Sequence, residues 1–199
     1  MGVTVLIALI SYLIGSVSFS YGIARLLKGY DIRMHGSGNA GATNMLRVVG
    51  KGPAAAVFLL DMLKGMVAVG LAAWFTNSPF LVMLAGIMAI IGHNWPIFLR
   101  FRGGKGIATT IGVTATLTFL AALIAGIFAI LAIVITRYVS LGSLIFAAGL
   151  PLMIFLLDYP TSYGYLSLAI TVMAFVRHAT NIKRLLQGKE SKLGSNQRT

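Results

Sequence analysis

Long apolar stretches alternate with short polar segments along this chain. A helix needs about 20 apolar residues to cross the hydrocarbon core of a bilayer. Val3 to Leu27 is the first such stretch. It does not read as a secretory leader, because no positive residue precedes it and no A-x-A site follows. The start M-G-V-T-V-L lacks the Ser/Thr at position 6 that myristoylation requires. Pro53 to Phe75 is the second span, with Pro53 suited to a first helical turn. An uncharged turn, Thr76-Asn77-Ser78-Pro79, leads to a third span from Phe80 to Ile91 and slightly beyond. Ile107 to Thr136 carries no charge over 30 residues. It reads either as one tilted helix or as two short ones with a turn near Thr116–Leu120. Val139 to Leu157 ends at the turn Asp158-Tyr159-Pro160, and Thr161 to Val176 is a last, short span.

The basic residues orient these spans. Arg25, Lys28, Arg33, Arg47 and Lys51 follow the first span, segment 92–106 is basic, and Arg177, Lys183, Arg184, Lys189, Lys192 and Arg198 follow the last. Cytoplasmic loops carry the excess of Lys and Arg, which places the N-terminus outside and the C-terminus inside and demands an odd number of crossings. Splitting 107–136 gives seven crossings with every basic loop inside. Keeping it whole gives five, with Arg137 outside and 161–176 at the interface. The expected fold is therefore an all-α integral membrane protein, a polytopic bundle of seven transmembrane helices (alternative: five). Residues 1–187 form one transmembrane domain, and 188–199 a polar cytoplasmic tail expected to be a solvated end.

Composition narrows the chemistry. The 199 residues are 58% hydrophobic and 10% charged, against roughly 45–50% and about 25% in a soluble domain. A soluble fold is excluded by its lack of polar surface. There is no cysteine, so disulfides, thiolate metal sites and Cys nucleophiles are excluded. Sixteen Lys and Arg oppose four acids, for a net charge of +12. The acids, Asp31, Asp61, Asp158 and Glu190, are scattered, so a carboxylate cluster for Mg²⁺ is not expected. Three His without nearby acids do not make a zinc site; no metal and no cofactor is expected. The excess cations suit phosphates and anionic lipid headgroups, whereas basic residues that flank apolar spans do not suit nucleic acid.

Three Gly-rich or polar strings fall on the cytoplasmic face of this topology: H-G-S-G-N-A-G-A-T-N-M-L-R (35–47), G-H-N-W-P-I-F-L-R-F-R-G-G-K-G (92–106) and R-H-A-T-N-I-K-R (177–184). In the first, glycines including Gly38 let backbone N–H groups approach a ligand. Ser37, Asn39, Thr43 and Asn44 add hydrogen bonds, and Arg47 clamps an oxyanion. The plainer alternative is a flexible loop with a helix N-cap at Thr43 or Asn44. In the second, Gly103-Gly104-Lys105-Gly106 before a helix start suits a phosphate through the helix N-terminus and the Lys charge, although it is no Walker A loop. Arg100 and Arg102 read as headgroup anchors. His178 and Asn181 share a face if their helix continues. Asp61 and Lys64, at i, i+3 inside the second span, read as a self-neutralising pair facing the bundle. Ser140 and Ser143 lie near the cytoplasmic rim in the seven-span reading, where helix packing is the alternative role.

The strings S-G-N-A-G-A-T-N-M-L-R (37–47), G-H-N-W-P-I-F-L-R-F-R-G-G-K-G-I-A-T (92–109) and R-H-A-T-N-I-K-R-L-L-Q-G (177–188) resemble the three signature motifs of the bacterial acyl-phosphate-dependent glycerol-3-phosphate acyltransferases. The resemblance runs almost the length of the chain, and the third motif is the loosest. It implies a small seven-span enzyme of the bacterial inner membrane with a cytoplasmic active site. Such an enzyme moves a fatty acyl group from acyl phosphate to sn-glycerol 3-phosphate, giving lysophosphatidic acid and phosphate. Its partners are those two substrates and membrane lipids, with no obligate protein partner. The residues five positions after His35, His93 and His178 are Ala40, Phe98 and Lys183, so the His-x4-Asp base of other glycerolipid acyltransferases is absent. On this resemblance Lys105, Ser37 and glycine N–H groups (Gly103, Gly104 and Gly106 among them) hold the phosphoryl group and the developing oxyanion. Arg47, Asn181, His178 and Ser143 hold glycerol phosphate. The hydroxyl proton goes to the substrate's own phosphate or to His178. The competing class is a small transporter or channel for a phosphorylated solute; one-sided clustering of the polar strings argues against it. The common expectation is that all three strings meet in one cationic pocket at the inner leaflet.

Overall fold

The computed structural model describes residues 2–194. Met1 and residues 195–199, and with them the expected tail cation Arg198, lie outside the described residues. Within them are ten α-helices, two short 3₁₀ turns and no strand. The chain divides into two compact units, Met1–Leu117 and Thr118–Thr199.

The first unit opens with α1 (Gly2–Ser16) and α2 (Phe19–Lys28), which share what the hydropathy pattern predicts as one uninterrupted span. Serines cause the interruption. Ser16 Oγ donates back to the Tyr12 carbonyl at 2.8 Å, and Ser18 Oγ accepts the Tyr21 N–H at 3.4 Å as the cap of α2. Hydroxyls that compete for backbone groups bend and end helices. The break at Val17 leaves its carbonyl outside the helical ladder, and Lys64 Nζ donates to it at 2.7 Å. A short helix, α3 (Ala42–Val48), then precedes α4 (Lys51–Phe75), α5 (Pro79–Asn94) and α6 (Ile107–Leu117).

Helices α4 and α6 touch backbone to backbone. A Cβ on Gly112 would run into the Met62 carbonyl oxygen, and one on Gly65 would sit 2.5 Å from the Thr109 carbonyl oxygen. In a bilayer, where apolar surface alone does not drive helices together, small residues at the crossing supply the close packing. Gly112→Leu is expected to lower the thermal midpoint in detergent strongly, since overpacking costs typically 1–3 kcal/mol. Gly70→Leu, on the same helix α4 with nothing within 4 Å of its Cβ position, is expected to leave it unchanged. Equal midpoints for the two variants would refute the close crossing.

The second unit contains α7 (Phe119–Thr136), α8 (Val139–Leu156), α9 (Thr161–Arg177) and α10 (Ala179–Leu186). The uncharged run 107–136 is split, with non-helical Thr118 between α6 and α7 (φ −141°, ψ 53°), inside the turn window read from the sequence. Thr171 Oγ1 donates to the Ala147 carbonyl at 2.6 Å and ties α9 to α8. Five stretches of the described residues are long and apolar enough to cross a membrane: Gly2–Lys28, Lys51–Phe75, Pro79–Leu99, Phe119–Thr136 and Val139–Leu156. Helix α6 is apolar but shorter.

Candidate active site

The first polar string is a built loop. Asp31 accepts the Arg33 N–H at 2.9 Å and caps a 3₁₀ turn over Ile32–Met34. The Arg33 guanidinium forks onto the same carboxylate, with Nη2 to Oδ2 at 2.7 Å, and reaches across to the Leu99 carbonyl at 2.8 Å. Held by Arg33, the Asp31 carboxyl stays below the usual carboxylate range. Asn44 then folds inward. It is 1% exposed, accepts the Ser37 N–H at 2.8 Å, and donates to the carbonyls of Ile32 at 3.1 Å and His35 at 3.0 Å. Its amide is spent on the loop's own backbone, so Asn44 shapes the loop that presents Ser37 and Gly38. Neither Thr43 nor Asn44 is the helix cap: Gly41 stands there, without a side-chain cap bond. Ser37, Gly38 and Arg47 are exposed, and Asn39 and Thr43 half-buried.

The second string doubles back on the end of α5. After a 3₁₀ turn at Ile97–Leu99, the Gly103 N–H donates to the Asn94 carbonyl at 3.2 Å and the Gly104 N–H to the His93 carbonyl at 3.0 Å. No side chain fits at Gly104: a Cβ would strike His93 Nε2 and lie 2.8 Å from the Ala40 carbonyl oxygen. That proximity joins the two strings, because Ala40 belongs to the first and Gly104 to the second. Half-buried Lys105 and left-handed Gly106 (φ 82°) follow, and α6 starts at Ile107. A lysine, a glycine turn and a fresh helix N-terminus are groups that attract an anion.

The third string lies in the second unit. The helix breaks at His178, which ends α9 and precedes α10. Its Nδ1 lies 2.8 Å from the Ala174 carbonyl. A carbonyl only accepts, so Nδ1 carries the proton and Nε2 is the basic nitrogen of the neutral ring. Asn181 Nδ2 donates to Glu190 Oε1 at 2.7 Å, Ser140 Oγ to the same oxygen at 3.0 Å, and Arg184 Nε to Oε2 at 2.7 Å. Ser143 Oγ donates to its own helix, to the Val139 carbonyl at 2.9 Å.

Glu190 was missed by sequence reasoning and corrects the view of the tail. Gly188, Lys189, Lys192, Leu193 and Gly194 are exposed as a solvated tail would be, but the segment is tied down at two points. Glu190 is 7% exposed, and the Leu193 N–H donates to the Arg137 carbonyl at 2.7 Å. The signal was a lone Glu among cations, in a stretch whose polarity read as solvent-exposed. Burial pushes its carboxyl up, but hydrogen bonds from Arg184, Asn181 and Ser140 outweigh this and hold it below the ordinary value. A carboxylate so engaged is a poor general base. A carboxyl lowered by the fold stabilises it above the unfolded pKa of about 4.3, and that stability is lost as pH falls through the lowered value. Acidification below about pH 4 is therefore expected to release the tail. Hydrogen exchange over Gly188–Gly194 reads it, and unchanged protection in acid would contradict it.

Asn94 was missed as well. It is fully buried, with neither amide atom hydrogen-bonded among the described residues, and a Cβ on Gly106 would lie 2.9 Å from its Oδ1. No group of three or more metal-ligating side chains occurs among the described residues.

An all-helical membrane protein with a Gly-Gly-Lys-Gly loop before a helix in one unit and a His–Asn–carboxylate cluster in the other is the class that fold and site define. A family model for glycerol-3-phosphate acyltransferase matches residues 5–188. A glycerol-3-phosphate acyltransferase of Halalkalibacterium halodurans is 55% identical over 195 residues, 95% of each chain. One of Shouchella clausii is 56% identical over 192 residues, 94% of each. Among solved structures, the glycerol 3-phosphate form of PlsY (YgiH), an integral membrane glycerol 3-phosphate acyltransferase, superposes with a TM-score of 0.91 at 35% identity, covering 96% of both chains. Its lysophosphatidic acid form gives 0.88 at 33% identity, covering 96% of this chain and 95% of that one. The chain belongs to the glycerol-3-phosphate acyltransferase family and is a membrane-embedded enzyme; the transporter alternative is not favoured.

Proposed function

We propose that this enzyme takes its acyl group from acyl phosphate and passes it to the sn-1 hydroxyl of glycerol 3-phosphate. The hydroxyl oxygen attacks the acyl carbonyl carbon, the bond from that carbon to the phosphate oxygen breaks, and inorganic phosphate leaves with lysophosphatidic acid as the other product. The observation that supports the reading is the close approach of the first two strings, Ala40 of one against Gly104 of the other, next to the Ser37–Gly38 turn and Lys105 in sequence. Lys105, Ser37 and the N–H of Gly106 hold the phosphoryl group and the developing oxyanion, whereas Gly103 and Gly104, whose N–H groups are taken by the Asn94 and His93 carbonyls, shape the loop rather than donate to the substrate. Gly38, Asn39, Thr43 and Asn44 line or shape the same loop. Arg47, His178, Asn181, Ser140 and Ser143 serve glycerol phosphate.

Acyl phosphate is already an activated mixed anhydride. Positioning alone supplies up to roughly 7–11 kcal/mol in such transfers, and preorganised charge adds to it. Two groups suit the hydroxyl proton: a phosphate oxygen of the substrate, and His178 Nε2. The enzyme is assigned to the bacterial inner membrane, with seven crossings, its N-terminus outside and its site and C-terminus in the cytoplasm. Residues 1–187 carry the acyltransferase and 188–199 the polar tail.

Purified protein given acyl phosphate and glycerol 3-phosphate is expected to release phosphate and form lysophosphatidic acid; acyl-CoA in place of acyl phosphate is expected to give no product. Product from acyl-CoA alone would overturn the donor assignment. The chain has no cysteine, so Arg137→Cys provides a unique label. Labelling from the cytoplasmic side supports seven crossings, and labelling from outside supports five.

A further inference from the structure

Three ionisable side chains are buried in the first unit, away from the Ser37 turn. Asp61 and Lys64 of α4 are 1% and 4% exposed, and His93 at the end of α5 is 7% exposed. Lys64 Nζ lies 2.8 Å from Asp61 Oδ1 and 2.9 Å from His93 Nδ1. The same nitrogen donates to the Val17 carbonyl freed by the break between α1 and α2. Stability does not account for such a cluster, because a buried ion pair generally does no better than apolar residues of equal volume. Ionisable groups at membrane depth mark function by default.

Its position indicates what the function is. Lys64 Nζ and Asp61 Oδ1 both face His93 Nδ1, at 2.9 Å and 3.5 Å; with the closer ammonium donating, Nδ1 accepts and the neutral ring carries its proton on Nε2. That Nε2 edge faces Gly104, where a Cβ would collide with it, and the His93 carbonyl accepts the Gly104 N–H. One residue thus supports the loop through both its ring and its backbone, directly before Lys105. Lys64 fixes the ring, Asp61 balances Lys64, and the Val17 carbonyl anchors the assembly to the break between α1 and α2.

We propose that Asp61, Lys64 and His93 are positioning residues that hold the Gly103–Lys105 loop in register for its anion, His93 acting on Gly104 and the ion pair acting through His93. This rests on the reading of that loop as the acyl-phosphate cradle. Displacing a reacting group by about 1 Å costs on the order of 100-fold in rate, so a rigid support beneath the lysine is worth its buried charges.

The test uses full-length protein purified in detergent, with KM for each substrate, kcat and thermal midpoint measured for every variant. Asp61→Asn/Lys64→Met removes both charges together and leaves no lone buried ion. His93→Asn keeps an acceptor near the Nδ1 position for Lys64 but removes the edge that meets Gly104; His93→Gln restores a polar atom near Nε2. The double variant and His93→Asn are expected to keep a cooperative thermal transition and to raise KM for acyl phosphate on the order of 10- to 100-fold. KM for glycerol 3-phosphate should stay within about twofold, well under the tenfold that 1.4 kcal/mol represents. His93→Gln should fall nearer wild type. Any pattern that spares KM for acyl phosphate, or raises both KM values alike, overturns the proposal. So does loss of the thermal transition in both the double variant and His93→Asn, which would make the cluster purely architectural. Lys105→Ala is measured beside them. If it is inactive while His93→Asn matches wild type, only the positioning proposal fails; if Lys105→Ala matches wild type, the cradle reading fails and takes the proposal with it.

Discussion

Lys105→Ala is expected to lower phosphate release from acyl phosphate and glycerol 3-phosphate by about 10³-fold or more while the protein keeps its thermal midpoint. Lys105 is half-buried, after the glycines that double back on α5 and before the start of α6. Its charge arrives there together with the N–H groups of a helix N-terminus, so the two fields add on one anion. Removing a single preorganised donor from a developing oxyanion costs roughly 2.7–4 kcal/mol in barrier. A full positive charge that also holds the leaving phosphate should cost at least that much. Stability should survive, because the loop keeps its shape through the bonds from Gly103 and Gly104 to the end of α5, none of which uses the Lys105 side chain. Lys105→Arg keeps the charge but presents a planar fork in place of a compact ammonium, and should recover only part of the rate. Near-wild-type turnover by Lys105→Ala would remove the central assignment.

Much of the helical architecture is legible from the spacing of apolar runs, and the exceptions have physical causes. The apolar run 107–136 reads from sequence either as one tilted helix or as two short ones, and the non-helical Thr118 selects the second, inside the turn window of that reading. The break between α1 and α2 does not show in hydropathy, because Ser16 and Ser18 are two hydroxyls in an otherwise apolar run; only their backbone bonds reveal it. Asp61 and Lys64 are visible as an i, i+3 pair, but His93 lies 29 positions from Lys64, and nothing in local spacing links them. Asn44 looks like a ligand residue in the string and turns out to be occupied by its loop. Motif reading picks out polar side chains; it does not separate those that face a substrate from those that build the loop around it.

The tail poses the sharpest case, and Glu190→Ala is the variant that tests it. Glu190 accepts from Ser140, Asn181 and Arg184. Ser140 and Asn181 are themselves buried, at 6% and 4% exposure, so truncation strips each of them of this acceptor. Every such loss costs roughly 1–3 kcal/mol. Arg184 has a side chain 41% exposed and recovers its solvation, so its ion pair contributes much less. The expected result is a clear fall in thermal midpoint together with loss of activity, since Asn181, one of the glycerol-phosphate residues of the proposed mechanism, loses the partner that fixes its amide. Glu190→Gln separates the two effects. It keeps a carbonyl oxygen for Ser140 and Asn181 while giving up the charge that Arg184 answers, so it should retain most of the midpoint and an intermediate activity. Trypsin offers an independent readout, because Lys189 and Lys192 flank Glu190 and should be cleaved faster once the segment lifts away. A Glu190→Ala protein with wild-type midpoint, cleavage and turnover would show that the tail merely rests on the fold.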